Sequence, residues 1–184
     1  MNTPECPAVS RLLILACGNP SRGDDALGPL LIDRLSRDPD LARRDVETLT
    51  DFQLQIEHVL DLQGREHVIF VDAAMSGPEP FTFFPLRPSP DASFSTHALV
   101  PGALLALFRQ VTAEDPPPAG LLAIRGYGFE LGSPLSDRAA ANLEAALTFL
   151  TRRLRCVGDR PTHRSQHGLA QFPGVVSQGR PRKR

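Results

Sequence analysis

The chain has 184 residues, a formal net charge of -1, and 41% hydrophobic against 22% charged residues. This is the balance of one soluble globular domain with a core of its own, and so little net charge argues against a chain built mainly to hold nucleic acid. No apolar run reaches membrane-spanning length, and residues 1–10 lack the charged-then-apolar pattern of an export signal, so no membrane partner is expected.

Residues 1–10, with Pro4 and Pro7, read as a flexible lead-in. Residues 11–17 form a short apolar run, as expected of a strand covered on both faces. The turn Gly18-Asn19-Pro20-Ser21-Arg22-Gly23-Asp24-Asp25-Ala26-Leu27-Gly28 follows. Beyond it Leu27, Leu30, Leu31 and Leu35 recur at helical spacing, opposite Asp33, Arg34 and Arg37. Two adjacent carboxylates therefore stand where a buried strand hands over to a helix. As plain helix chemistry, Asp24 and Asp25 would cap that helix and complement its dipole.

Residues 45–50 predict a second strand ending at Asp51. Leu54, Ile56, Val59, Leu60 and Leu62 predict a short amphipathic helix after it. Residues 67–71 are β-branched and apolar, the clearest strand of the chain, and run into Asp72 at its end. Residues 81–86 predict a fourth strand, with Pro85 placing its end near an edge. His97 then falls on a loop ahead of a helix over 101–111. Pro116 to Pro118 make a rigid connector, residues 121–126 a last strand, and Ser136 caps a final helix through Ala139, Leu143, Ala146, Leu147, Leu150 and Leu154. The alternation of strand and helix predicts an α/β fold: a three-layer, twisted, mainly parallel sheet of about five strands flanked by helices. The domain is expected over 11–156. Residues 157–184 carry Arg160, Arg164, Arg180, Arg182, Lys183 and Arg184 against one acid, Asp159. That tail is too polar to bury a core and reads as a disordered, basic extension.

If the first three strands are parallel, Asp25, Asp51 and Asp72 share one carboxyl edge, where open α/β sheets bind ligands. His97 is placed to reach the same crevice. Carboxylates with one imidazole suit a divalent first-row metal, although an Asp at a strand end also serves turns and a lone loop His is often a surface residue. Other chemistries lack their motifs: there is no phosphate loop, dinucleotide fingerprint, Gly-x-Ser-x-Gly elbow or His-Glu-x-x-His. Cys6, Cys17 and Cys156 show no paired metal spacing, and Cys17 falls in the buried first strand, unsuited to a nucleophile. Unpaired, scattered cysteines point to the cytoplasm.

Over about residues 11–154 the chain resembles the hydrogenase maturation endopeptidases, which remove a C-terminal extension from the large subunit of nickel-iron hydrogenases. The resemblance rests on Gly18-Asn19 followed by Asp24-Asp25-Ala26-Leu27-Gly28, on Phe70-Val71-Asp72-Ala73, and on Ser95-Thr96-His97. Phe129-Glu130-Leu131-Gly132 with Leu135-Ser136 adds to it. It implies a twisted, mainly parallel sheet, a metal-dependent endopeptidase activity, and metal binding by Asp25, Asp72 and His97. Many members have Glu where this chain has Asp25. The implied metal is nickel, carried transiently by the substrate, with no organic cofactor. The implied partner is the hydrogenase large-subunit precursor, met by a monomer. Asp25, Asp51 and Asp72 are the candidate catalytic carboxylates. The stretch from Asp51 to His58 resembles the subgroup serving cytoplasmic, NAD-linked hydrogenases. Two other readings stay open. A peptidyl-tRNA hydrolase-like esterase shares the Gly18-Asn19-Pro20 turn, but no histidine follows that turn before His58. A non-catalytic nickel chaperone or docking module would use the same three ligands.

Overall fold

Side-chain parity along the first strand decides how the domain is layered. The structure is a computed structural model that describes residues 11–39, 45–89 and 99–157. Strand β1 (Leu12–Cys17) is buried on both faces. Because successive side chains alternate, Leu12, Ile14 and Ala16 join one core, while Leu13, Leu15 and Cys17 join the other. The same split runs through β3 (His67–Ala74), with Ile69 and Val71 on the first face and Val68 and Phe70 on the second.

The first face is covered by α1 (Leu27–Leu35) and α4 (Asp137–Val157). In α4, Ala139, Leu143, Ala146, Leu150 and Leu154 recur at three- and four-residue steps, and all are buried, so one apolar stripe lies on the sheet. The second face is covered by α2 (His58–Asp61) and α3 (Pro101–Thr112), through Val59, Leu104, Leu105 and Phe108, with Leu54 and Leu62 from the chain beside α2.

β2 (Val46–Asp51), β4 (Phe81–Leu86) and β5 (Ala119–Arg125) complete a five-stranded sheet of order β2-β1-β3-β5-β4. β1 pairs in parallel with β2 and β3, β3 pairs in parallel with β5, and only β4 runs antiparallel, at the edge. This is the three-layer, mainly parallel α/β fold expected from the alternation of elements. Pro85, which has no N–H for a ladder, sits on that edge strand. From β1 the chain crosses to β2 on one side and then returns to β3 on the other. The order of connection thus reverses between β1 and β3, which makes their carboxyl ends the topological switch point.

Two expectations need correction. The apolar residues after β2 do not make an amphipathic helix: α2 is only four residues long, and Ile56 and Leu60 are 59% and 64% exposed. Their spacing mimics a helical stripe, but the chain around α2 is mostly turn, so only Leu54, Val59 and Leu62 reach the core. Asp72 does not end β3 either. Ala73 and Ala74 continue the pairing with Ile124 and Arg125 of β5, so Asp72 is a ladder residue opposite Ala123. The lead-in 1–10 and all of the basic tail beyond Val157 lie outside the described residues.

Candidate functional site

The switch point opens into a crevice of about 350 Å³ on the α2/α3 face. Parity places Asp72 on this face, two residues beyond Phe70, and both line the crevice beside Cys17 and Leu15. Asp25 enters from the turn after β1. Phe52 and Leu54 line it from the β2 side, and Leu99, Val100 and Pro101 from the start of α3.

Close approach of the main chain sets Asp25 in place. At Gly18 φ is +144°, and a Cβ there would stand 2.0 Å from the carbonyl oxygen of Asp25. Only glycine lets the chain leave β1 so near to the turn it is about to form. Gly28, at the start of α1, packs directly over the end of β1 and the middle of β3, where a Cβ would meet the Cys17 carbonyl oxygen at 2.5 Å and that of Val71 at 3.3 Å. Between these glycines, residues Gly23–Ala26 form a 3-10 turn.

The two carboxylates of that turn part company, and neither caps a helix. Asp25, half-buried, accepts a hydrogen bond from the Asn19 N–H at 3.0 Å and faces the crevice. Asp24 turns inward and is fully buried. Burial alone would raise its pKa, but N–H groups of Ser136, Tyr127 and Gly128 and the Ser136 hydroxyl outweigh that and hold it below the usual carboxylate range.

Asp72 accepts a hydrogen bond from the next N–H, of Ala73, at 2.8 Å. Its side chain reaches solvent at the crevice, but protein encloses it on its other sides. The resulting loss of hydration pushes its pKa up to about 6 against the pull of that N–H, and the charge of Asp25 adds to the rise. Asp51 makes the same contact with the following N–H, that of Phe52, at 2.6 Å. Of the three expected carboxylates, Asp25 and Asp72 line the crevice, while Asp51, paired with Cys17 in the ladder, is near enough to act on that thiol but is not part of the lining. Burial first, then the charges of Asp72, Asp51 and Asp25, drive the Cys17 thiol up to about 12. A thiol so protonated is no nucleophile, as expected from its place in the strand.

His58 is a member of this neighbourhood that the sequence did not single out. It is buried, its Nδ1 accepts the Gln55 N–H at 2.8 Å, and its Nε2 stands 3.5 Å from Asp51 Oδ2. With Nδ1 an acceptor, a neutral imidazole carries its proton on Nε2, toward Asp51. The signal was available in the seven-residue step from Asp51 across a tight turn, but no spacing rule distinguishes it. His97 lies outside the described residues. Among the described residues, no three His, Cys, Asp or Glu side chains form a group able to hold a metal ion.

An open α/β sheet with two carboxylates lining a crevice at its switch point has the arrangement of the doubly wound class, whose ligands bind at that place. Solved structures narrow the class. The chain is similar to the hydrogenase maturating endopeptidase HybD from E. coli, at 26% identity and a TM-score of 0.66, over 80% of this chain and 94% of that one. It is similar to an endopeptidase from Escherichia coli at 27% identity and a TM-score of 0.60, over the same shares. A [NiFe] hydrogenase maturation protease, HycI from Thermococcus kodakarensis, shares the fold at 24% identity and a TM-score of 0.59, over 79% of this chain and 93% of that one. The fold is that of the hydrogenase maturation endopeptidases. No protein-family model matches the chain, and neither does any curated protein. No helix among the described residues is long and apolar enough to cross a membrane.

Proposed function

We propose that this protein is an endopeptidase of hydrogenase maturation, which removes the C-terminal extension of a nickel-iron hydrogenase large-subunit precursor after nickel insertion. The observation that carries the reading is the pair Asp25 and Asp72, lining one crevice at the switch point in a fold shared with a hydrogenase maturating endopeptidase.

In this reading the nickel is part of the substrate. Asp25 and Asp72 supply oxygen donors and His97 a nitrogen donor, a set suited to a divalent first-row ion. Three donors on separate chain segments suit an ion held only while the precursor is docked. Asp25, fixed by the Asn19 N–H, orients the docked end. Asp51, backed by His58, is the remaining carboxylate able to take a proton from water beside the scissile bond. Selectivity follows from the same arrangement: a precursor without nickel offers these side chains no common partner.

The test is incubation of the purified protein with nickel-loaded and nickel-free precursor, reading the large-subunit mass. A single shortened product from the loaded form alone is expected. Tight docking without cleavage would mark a docking module instead.

A further inference from the structure

Of the neighbouring aspartates in the 3-10 turn, only one reaches the crevice, and the other is committed entirely to protein. Asp24 is 0% exposed. Its Oδ2 accepts the Tyr127 N–H at 2.7 Å, the Gly128 N–H at 3.1 Å and the Ser136 hydroxyl at 2.8 Å. Its Oδ1 accepts the Ser136 N–H at 2.7 Å. All four partners are neutral donors on the segment between β5 and α4, more than a hundred residues away in the chain. The main chain reinforces the contact. The Asp24 N–H donates to the Gly128 carbonyl at 2.8 Å, Gly23 N–H to Ser133 at 3.2 Å, and Gly132 N–H to Ser21 at 2.7 Å. Arg22 Nε adds a bond to the Phe129 carbonyl at 3.2 Å.

A buried carboxylate is costly unless its hydrogen bonds are complete, and these are directional. Capping a helix would need neither the burial nor the reach: Ser136 already precedes α4 and bonds the Ala139 N–H through its own hydroxyl. What the network does fix is the turn. Asp25 is the next residue, its Cα one trans peptide, or ~3.8 Å, further on. Its carboxylate accepts the Asn19 N–H, and its own N–H donates to the Arg22 carbonyl within the turn at 3.1 Å.

We infer that Asp24 is a positioning residue, whose buried carboxylate locks the Gly23–Ala26 turn onto the segment after β5 and so holds the Asp25 carboxylate at the crevice. The inference rests on reading Asp25 as a group that meets substrate, but its structural half stands apart from that reading. With an amide in place of the carboxylate, an NH2 group faces an N–H donor, and the turn loses its grip at one point while the core is untouched.

The experiment compares wild type, Asp24→Asn and Ser136→Ala, the last deleting the hydroxyl that donates to Asp24 and also accepts the Ala139 N–H at the start of α4, far from Asn19 in the chain. Amide hydrogen exchange is read at Asn19, which donates to Asp25, and at Ile14 in the core of β1. The expected result is an Asn19 protection lowered about tenfold relative to Ile14 in Asp24→Asn, the scale of one lost buried hydrogen bond, and about threefold in Ser136→Ala. Precursor processing should show kcat lowered by about the same factors with KM unchanged. Should Asp24→Asn fail to fold, the Ser136→Ala comparison decides alone. Equal loss of protection at Asn19 and Ile14, or no loss at Asn19 in a folded variant, overturns the inference. If wild type cleaves no precursor, the proposed function fails, and the exchange ratio still supports or overturns the positioning role.

Discussion

On one side of the crevice the Gly23–Ala26 turn is bound to the segment after β5 by hydrogen bonds to a fully buried Asp24. On the other side the chain from the end of β2 through α2 leaves Phe52, Ile56 and Leu60 at 63%, 59% and 64% exposure, and Leu54, Val59 and Leu62 hold it from beneath. The first wall is fixed by directional contacts to a distant segment; the second rests mainly on packing, which is non-directional, joined by the local contacts of His58 with Gln55 and Asp51. The difference teaches where position matters. A group that must meet a reacting centre is set by a polar network, and surface that only has to be in the right place rests on the core.

This contrast breaks most visibly at the support of the second wall. Leu62→Ala should cost about 2–5 kcal/mol of stability, the range for truncating a buried leucine, measured by urea unfolding. At the junction of both walls, Gly28→Ala forces a methyl against the Cys17 carbonyl and should cost about 1–3 kcal/mol, an overpacking penalty. It should also shift the turn carrying Asp25, so processing should fall more than stability alone explains. Leu60→Ser, two residues from Leu62 but exposed, should change stability by no more than about 0.5 kcal/mol. A large loss there would show that Leu60 is packed rather than exposed.

The floor between the walls has a chemical signature. With its pKa pushed up to about 12, Cys17 is protonated at pH 8. A variant with Cys6→Ser and Cys156→Ser should therefore resist iodoacetamide while native and react once unfolded in urea. Reactivity would rise with pH only as the thiol approaches that value. Rapid labelling of the native variant at pH 8 would contradict the burial described.

Much of this was legible in the sequence because the physics is local. The unbroken apolar run Leu12–Cys17 declared a strand covered on both faces, and the alternation of elements put Asp25, Asp51 and Asp72 on one carboxyl edge. The role of Asp24 was not legible, because its partners stand 103, 104 and 112 residues away and no spacing rule links them. Ser136 read as a helix cap and is one, yet its hydroxyl also serves Asp24. Ile56 and Leu60 misled for the opposite reason: their periodicity is helical, but α2 spans only His58–Asp61, so Ile56 precedes it and Leu60 stays exposed on its single turn. Asp72 remained inside β3 because β5 is long enough to pair past it, a length no local pattern in β3 reveals.

The most direct test sets wild type beside Asp72→Asn with nickel-loaded large-subunit precursor, following the released extension by mass spectrometry. Asp72 lines the crevice rather than the core, so the variant should keep its unfolding midpoint. The account predicts one defined cut by wild type and a loss of at least about a hundredfold in the folded variant, as expected when a group that meets the reacting centre is neutralised. Processing by Asp72→Asn at the wild-type rate would contradict it.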